Sequence, residues 1–513
     1  ALGIAAERAG RWSEAVDALG KVVDKRPDEL TAWKPLARAH AELDDVTSSM
    51  AAHRETLRLE DEFPPALHAL GTLHAKRGED AEAVEYLQRT LRYLPDDAEV
   101  HANLGMSLHA LDRDGEARAE LERAVALDPG EAAHHERLGI VQMALGRNEE
   151  AVASFEQSLR LDASRRSALL GLADAFEALE RLPDATSALR KATALTPDDP
   201  DMQHRFGAHN EALGHFTQAI EAFRKTVELR PGVAADHLRV ARCAVELELF
   251  DEALEAYGKS IGLEPDHAAP HLGRGAVLAR LGRHAEAVES LQRAVRIEPS
   301  SAEALERLTD SLLALGRDAD ALEAVQASLR LAPEDGGSLR TLGVVLNRLN
   351  RPEEAIDPLR RALEQLPDDP EAHFALGGAL RSLGRLAEAE EPLAAAVRLR
   401  PNDALSHRTL GVLLSSIVKL EGAAESLERA DRLRPDDPEC LVALGAVRRR
   451  LGDLGEAKKI LERALRLSPE DPRAHYDFAL AVRDLELLEE AVHHLTKATS
   501  LAPDHADAHY QLG

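Results

Sequence analysis

The stretch Leu104–Pro129, LGMSLHALDRDGEARAELERAVALDP, contains every feature that decides the fold of this 513-residue chain. Its closing proline recurs every 34 residues, and the spacing never slips. The prolines of this register are Pro27, Pro95, Pro129, Pro197, Pro231, Pro265, Pro299, Pro333, Pro367, Pro401, Pro435, Pro469 and Pro503. The two remaining positions hold Asp61 and Ala163. A fixed period of this length predicts a solenoid of helix–turn–helix units.

Three small residues of the same stretch, Gly105, Ala117 and Ala124, also recur with the period. The Gly105 position is glycine in most repeats, alanine at 37, 173, 241 and 479, and threonine at 309. The Ala117 position is alanine everywhere except Ser49. Because Ala117 and Ala124 are seven residues apart, they share one helix face, and Gly105 belongs to a different helix. Each repeat is therefore predicted to be two helices packed through small residues, with the proline ending the second.

The turn between the two helices carries a second pattern. Its last position alternates between glycine and a polar residue, as in Gly78, Asp112 and Gly146, with Val418 as an apolar member. Glycine adopts the left-handed conformation at a helix C-terminus at little cost, so each turn is predicted to close in that conformation.

These slots resemble the tetratricopeptide repeat (TPR) family, whose Leu-Gly, Ala, Ala, Pro skeleton matches Leu104-Gly105, Ala117, Ala124 and Pro129. The resemblance covers essentially the whole chain and implies an all-α, right-handed superhelix. The early aromatic residue of the family survives only as Trp33. Histidine replaces it in eight repeats, at His101, His135, His237, His271, His373, His407, His475 and His509.

The register predicts one continuous array over residues 1–513. We expect a partial repeat at 1–29, fourteen 34-residue repeats over 30–505 that begin with 30–63, and a partial repeat at 506–513. Both ends fall inside a repeat, so we expect the chain to be a fragment of a longer protein. Uncapped ends of such arrays can also stack head to tail, which makes self-association a possible property.

Composition argues against several classes of function. The spacing leaves no insertion long enough for a catalytic loop, and no nucleotide-binding, zinc-protease or hydrolase motif is present, so we expect no enzyme and no cofactor. A net charge of −28 with 3% aromatic residues disfavours nucleic-acid binding. No apolar run reaches the roughly 18 residues of a membrane span. Cys243 and Cys440 are interpreted as small apolar fillers, which fits a cytoplasmic location, and the preference for Arg over Lys hints at a bacterial source.

The histidines are weighed separately as metal ligands. Most are expected to be packed side chains, because they lie on the buried stripe of the first helix. The pairs His267 and His271, and His505 and His509, have the i, i+4 spacing of zinc ligands, but the first member of each lies in the turn before the helix. We therefore expect no metal site.

In TPR proteins the outward face of the first helix lines a concave groove that holds extended peptides, and this assignment rests on the resemblance. The central repeats place carboxylates there, including Glu136, Asp174, Glu177, Glu211, Glu246, Glu306 and Asp310, with Arg242 and Arg280 against them. The C-terminal repeats place mostly arginines there instead. The candidate partner-binding residues are Arg340, Asn347, Arg348, Arg381, Arg408, Arg449, Arg450, Arg473, Tyr476 and Arg483. Guanidinium groups grip carboxylates and phosphates, so an acidic or phosphorylated partner segment is expected; the alternative is a solvated helix face.

Two classes of function stay open at this point. The first is a non-catalytic scaffold for protein partners. The second is the substrate-recognition arm of a larger enzyme, as in the O-linked N-acetylglucosamine transferases, which resemble this chain in length and regularity. Their asparagine ladder matches here only at Asn103, with Arg137, Arg205 and Arg239 in later repeats. The chaperone-tail clamp of the family is not expected either, since Lys34 and Arg38 lack its asparagine. A self-assembling filament is the third alternative.

Overall fold

The computed structural model describes all 513 residues, as 31 α-helices with no strand, in two compact units, Ala1–Leu263 and Glu264–Gly513. The first unit comprises α1 (Leu2–Arg8), α2 (Trp12–Lys25), α3 (Leu30–Glu42), α4 (Val46–Leu59), α5 (Pro64–Lys76), α6 (Asp80–Leu91), α7 (Ala98–Ala110), α8 (Asp114–Leu127), α9 (Ala132–Ala144), α10 (Asn148–Leu161), α11 (Arg166–Ala178), α12 (Leu182–Leu195), α13 (Pro200–Ala212), α14 (Phe216–Leu229), α15 (Ala234–Glu246) and α16 (Phe250–Leu263).

The second unit repeats the same pattern. It comprises α17 (Ala268–Arg280), α18 (His284–Ile297), α19 (Ala302–Ala314), α20 (Asp318–Leu331), α21 (Gly336–Arg348), α22 (Pro352–Gln365), α23 (Pro370–Ser382), α24 (Leu386–Leu399), α25 (Ala404–Ser416), α26 (Leu420–Leu433), α27 (Pro438–Arg450), α28 (Leu454–Leu467), α29 (Pro472–Asp484), α30 (Leu488–Leu501) and α31 (Ala506–Leu512).

Each repeat is one odd-numbered helix, called helix A, followed by one even-numbered helix, called helix B. Helix A begins after an aspartate in many repeats, and its carboxylate accepts the first backbone N–H groups, as Asp97 does from Glu99 and Val100 at 3.1 Å. Helix B ends two residues before the proline, as Leu127 does before Pro129. The predicted all-α fold of helix–turn–helix repeats is confirmed.

The turn that ends helix A closes in the left-handed conformation, as predicted, in every repeat. The closing residue has a positive φ whether it is glycine, such as Gly384 at 71°, or a polar residue, such as Asp112 at 58°. Val418 adopts φ 66° in the same place, although a β-branched side chain strongly disfavours it. The register of the array therefore overrides the preference of a single residue.

Helices A and B of one repeat are joined by a contact that the small-residue slot makes possible. The glycine of helix A faces the side chain sixteen residues later on helix B, so Gly105 faces Leu121 and Gly139 faces Phe155. A Cβ atom added at Gly105 would lie 2.7 Å from Cγ of Leu121. We call the helix-B residue the knob of the repeat. Ten of the fifteen knobs are leucine.

The second small slot is equally tight. Ala117 and its equivalents are buried throughout both units. The single exception, Ser49, satisfies its hydroxyl by donating to the backbone carbonyl of Ala37 at 3.0 Å, on helix A of its own repeat. A polar atom in this slot is tolerated because it finds a hydrogen-bond acceptor there.

The histidines that replace the aromatic residue of helix A share one structural role. Nε2 of each of the eight lies 2.9–3.1 Å from the carbonyl oxygen of the proline six residues earlier, as in His101 with Pro95. Trp33 donates in the same way to Pro27 at 2.7 Å, and Gln203 to Pro197 at 2.9 Å. Where the side chain at this position has an N–H, it reaches a carbonyl left open where helix B has ended, whereas five repeats carry leucine there. The prediction of packed histidines agrees with this geometry.

Both cysteines are buried and unpaired, in agreement with their interpretation as apolar fillers. Burial raises the pKa of the Cys243 and Cys440 thiols to about 12, so neither is a thiolate at neutral pH.

The neighbouring residues Gly377 and Gly378 on α23 test the knob contact. A Cβ at Gly377 would lie 2.5 Å from Cγ of Leu393, whereas a Cβ at Gly378 would meet nothing within 4 Å. We expect Gly377→Ala to lower the free energy of unfolding by about 1–3 kcal/mol through overpacking. Gly378→Ala should raise it by up to about 1 kcal/mol, because alanine is the better helix former. Urea unfolding of both variants measures this, and two changes of the same sign would contradict the packing argument.

Candidate partner-binding surface

The ten candidate residues lie on helix A of five consecutive repeats, from α21 to α29. Most of their charged groups contact the neighbouring repeat. Arg340 on α21 donates to Asp369 at 3.0 Å, and Arg408 on α25 lies 3.2 Å from Asp437. Both acceptors are the residues that cap the next helix A. These arginines therefore clamp one repeat to the start of the next.

The first clamp also affects the titration of its carboxylate. Burial alone would raise the pKa of Asp369, but the backbone N–H of Ala372 and the guanidinium of Arg340 hold it below the usual value. Asp369 is thus a charged, fully engaged cap at neutral pH.

A second pair of arginines, Arg348 and Arg450, contacts the preceding repeat. Arg348 donates to the carbonyl oxygen of Leu313 at 3.0 Å and pairs with Asp318 at 2.9 Å. Arg450 donates to the carbonyl oxygen of Ser415 at 2.9 Å. Both arginines satisfy backbone groups at the C-terminal end of a helix A, where carbonyls have no partner within the helix.

Arg449 and Arg483 contact groups further along the chain. Arg449 pairs with Asp484 at 3.1 Å, and Arg483 pairs with the same carboxylate at 2.7 Å and also donates to Gln511. Six of the eight candidate arginines are therefore engaged in contacts within the array. The sequence suggests a continuous basic stripe of free arginines, but most of these arginines are engaged within the array.

Arg381 and Arg473 differ from the other six. Both side chains are exposed, and neither forms an ion pair or a side-chain hydrogen bond. The contacts made by the equivalents of Arg381 in other repeats show which positions it could reach. Asn347, one repeat earlier, donates to the residue 28 positions later, and Arg449, two repeats later, pairs with the residue 35 positions later.

The corresponding positions for Arg381 are Thr409 and Ser416, which carry no charge. Their hydroxyls donate within their own helix, to Leu405 at 2.8 Å and Val412 at 3.0 Å. Arg381 contacts neither residue and presents its guanidinium to solvent.

The two uncharged candidates are both placed between helices. Asn347 donates to the carbonyl oxygen of Ala375 at 2.8 Å, while its own Oδ1 is buried without a partner. The ring of Tyr476 packs at 4.8 Å from the ring of His505. Asn347 thus joins α21 to α23.

Several acidic residues of the first unit are paired as well. Arg205 donates to Asp174 and Glu177, and Arg239 donates to Glu211 at 2.6 Å. These arginines occupy the slot of the absent asparagine ladder, and sequence reasoning missed their role. The available signal was charge complementarity between helix A of one repeat and helix A of the next.

The structure contains no group of three or more His, Cys, Asp or Glu side chains arranged to hold a metal ion. None of the helices combines the length and the apolar character that crossing a membrane requires.

Comparisons with known proteins agree with the repeat geometry. A tetratricopeptide repeat family model matches residues 1–65, 68–132 and 137–200, and a second one matches 438–482. A model described as the C-terminal domain of cilia and flagella-associated protein 70 matches 199–410. No curated protein sequence matches the chain. The repeats are tetratricopeptide repeats, and the chain belongs to that family.

Several solved structures are also similar to parts or most of the chain. YrrB, described as a TPR protein with an unusual peptide-binding site, is 28% identical over 37% of this chain and 98% of its own, with a TM-score of 0.33. The APC/C hetero-tetramer Cut9-Hcn1 is 17% identical over 96% of this chain and 97% of its own, with a TM-score of 0.38. Naa15/Naa10 bound to HypK-THB is 15% identical over 94% and 95%, with a TM-score of 0.35.

Membership of this family defines the general class of function, because tetratricopeptide repeats mediate interactions between proteins. The resemblance to the arms of O-linked N-acetylglucosamine transferases stays a prediction.

Asp477, beside Tyr476 on α29, gives a pH-dependent test of this surface. Burial raises the pKa of its carboxyl group to about 6, although Arg449 and Arg473 nearby favour the charged form. In an unfolded chain the value is about 3.9. Ionisation of Asp477 therefore destabilises the folded state above pH 6, and this penalty is absent below about pH 4.

We accordingly expect Asp477→Asn to raise the free energy of unfolding at pH 7 by on the order of 2 kcal/mol and to leave it unchanged at pH 4. Denaturant titrations at the two pH values measure the difference. The exposed Asp504→Asn is the control and should have little effect at either pH. Equal stabilisation by Asp477→Asn at both pH values would show that its charge is not the cause.

Proposed function

We propose that this chain is a non-catalytic scaffold that binds an extended, acidic or phosphorylated segment of a partner protein along the helix-A surface of residues 336–484. The observation that carries the proposal is the pair of exposed, unengaged guanidiniums at Arg381 and Arg473 in a chain of net charge −28. Screening acts over about 8 Å at physiological salt, so a docked segment responds to these local charges and not to the distant acidic residues.

The engaged arginines support the same surface in a second way. A guanidinium has five N–H donors, and Arg340 and Arg408 direct only part of theirs to the capping aspartates. These contacts hold the two side chains in place, so less side-chain conformational entropy is lost when a ligand binds. A segment with carboxylates or phosphates can thus meet two free and several preorganised donors.

We also propose a cytoplasmic location. Its two cysteines are buried thiols without a disulfide partner, which is compatible with a reducing compartment.

The test uses a fluorescein-labelled peptide of roughly 12 residues that alternates glutamate and phosphoserine. We expect the wild-type chain to bind it, and Arg381→Glu combined with Arg473→Glu to weaken binding about tenfold or more, because each charge-assisted hydrogen bond contributes about 1.5–3 kcal/mol. Fluorescence anisotropy measures the affinity, and higher salt should weaken it.

Arg466→Glu is the matched control, since Arg466 is exposed on helix B of its repeat and the net charge change per substitution is the same. The proposal is wrong if the double variant binds like this control. It is equally wrong if a lysine-rich peptide of the same length binds more tightly than the acidic one.

A further inference from the structure

The knob of the repeat that starts at residue 30 departs from all the others. The knobs are leucine, phenylalanine, valine or Tyr257 elsewhere, but His53 occupies this position on α4. An imidazole between two packed helices replaces a hydrocarbon with two polar nitrogens. Since the contact holds each repeat together, a polar knob needs a reason other than packing.

His53 has no partner within the fold. Its Nδ1 is buried without a hydrogen bond, and burial lowers the pKa of the ring to about 4. The side chain is therefore neutral at pH 7, with one nitrogen that can donate and one that can accept. An unmade buried hydrogen bond lowers stability, and leucine would avoid that cost.

His53 lines a cavity of about 450 Å³ within the first unit. The other walls are mainly apolar and come from two successive A helices and the turn between repeats. They include Pro35 and Ala41 of α3, and Phe63, Pro65 and Ala69 at the start of α5. A volume of this size falls in the range of about 300–1,000 Å³ that holds small ligands and single anchor groups.

The rim of this cavity is charged and ordered. The Lys34 ammonium lies 3.7 Å above the ring of Phe63 and 2.6 Å from Glu60, so the ring is held in one orientation. Arg38 pairs with Glu7 at 3.3 Å, but its side chain is 65% exposed while that of Glu7 is 9% exposed. The outer N–H groups of Arg38 therefore face solvent beside the opening.

From this arrangement we propose that the cavity binds the side chain of a tyrosine in an acidic segment of a partner protein. The apolar walls and the ring of Phe63 accept the aromatic ring by offset packing. The phenol hydroxyl both donates and accepts, so it can pair with Nε2 of His53, the imidazole nitrogen that is not buried, in either tautomer. A carboxylate next to the tyrosine meets the exposed guanidinium of Arg38, which complements its charge.

Other side chains fit this cavity less well. Phenylalanine fills the same apolar space but leaves the imidazole without a hydrogen bond. An isolated carboxylate can contact Arg38 but leaves the apolar walls of the cavity unfilled. The site lies in the first unit, so it is independent of the surface formed by residues 336–484.

The experiment compares the peptides acetyl-Glu-Tyr-Glu-amide and acetyl-Glu-Phe-Glu-amide by ligand-observed NMR titration against the full 513-residue chain. We expect the tyrosine peptide to bind the wild-type chain at least fivefold more tightly than the phenylalanine peptide. His53→Leu, which installs the commonest knob, should fold with equal or higher stability and should remove this preference. Phe63→Ala should weaken both peptides.

His215→Leu serves as the control, because His215 is exposed on the same unit and lies outside the cavity. Its binding should match that of the wild-type chain. The proposal is overturned if neither peptide binds at millimolar concentration, if both bind the wild type equally, or if the tyrosine preference persists in a folded His53→Leu chain.

Discussion

The contact between a small residue on helix A and the knob sixteen residues later is the constraint on which the rest of this structure depends. At Gly105 and Leu121 it leaves no room for even one further carbon atom. Such a contact fixes the distance between the two helices of a repeat, and the 34-residue period then fixes where the next repeat packs. The left-handed turn at Val418 shows the strength of this constraint, since an unfavourable φ is accepted and the register is kept.

The helices and turns can be predicted from the sequence because the contacts that define them are local. The small slots, the proline and the turn residue all act within 34 residues, so their spacing alone predicts helix number, helix order and the conformation of each turn. The sequence pattern does not predict the knob contact or the bond from His101 to Pro95, although both repeat with the same period. Each joins two positions of the repeat, and the period alone does not indicate which positions meet.

The candidate surface is harder to predict, because contacts between repeats decide which charged side chains are paired. The position of Arg340 on helix A follows from the period, but its pairing with Asp369 depends on the rotamers of two side chains 29 residues apart. Arg381 has no such partner, and its guanidinium faces solvent. An arginine on helix A therefore either joins neighbouring repeats or faces solvent, and the residues of the neighbouring repeat decide which.

The central claim is that each 34-residue unit is interchangeable because nearest-neighbour packing specifies it. Deletion of Pro370–Asp403 removes one unit and joins Asp369 directly to Ala404, so the next helix A keeps an aspartate cap. Circular dichroism of this variant should show unchanged helicity per residue and a melting transition close to that of the full chain. Deletion of the 17 residues Pro370–Leu386 should lose both, because two B helices would then follow one another. Equal loss of structure in the two deletions would contradict the account.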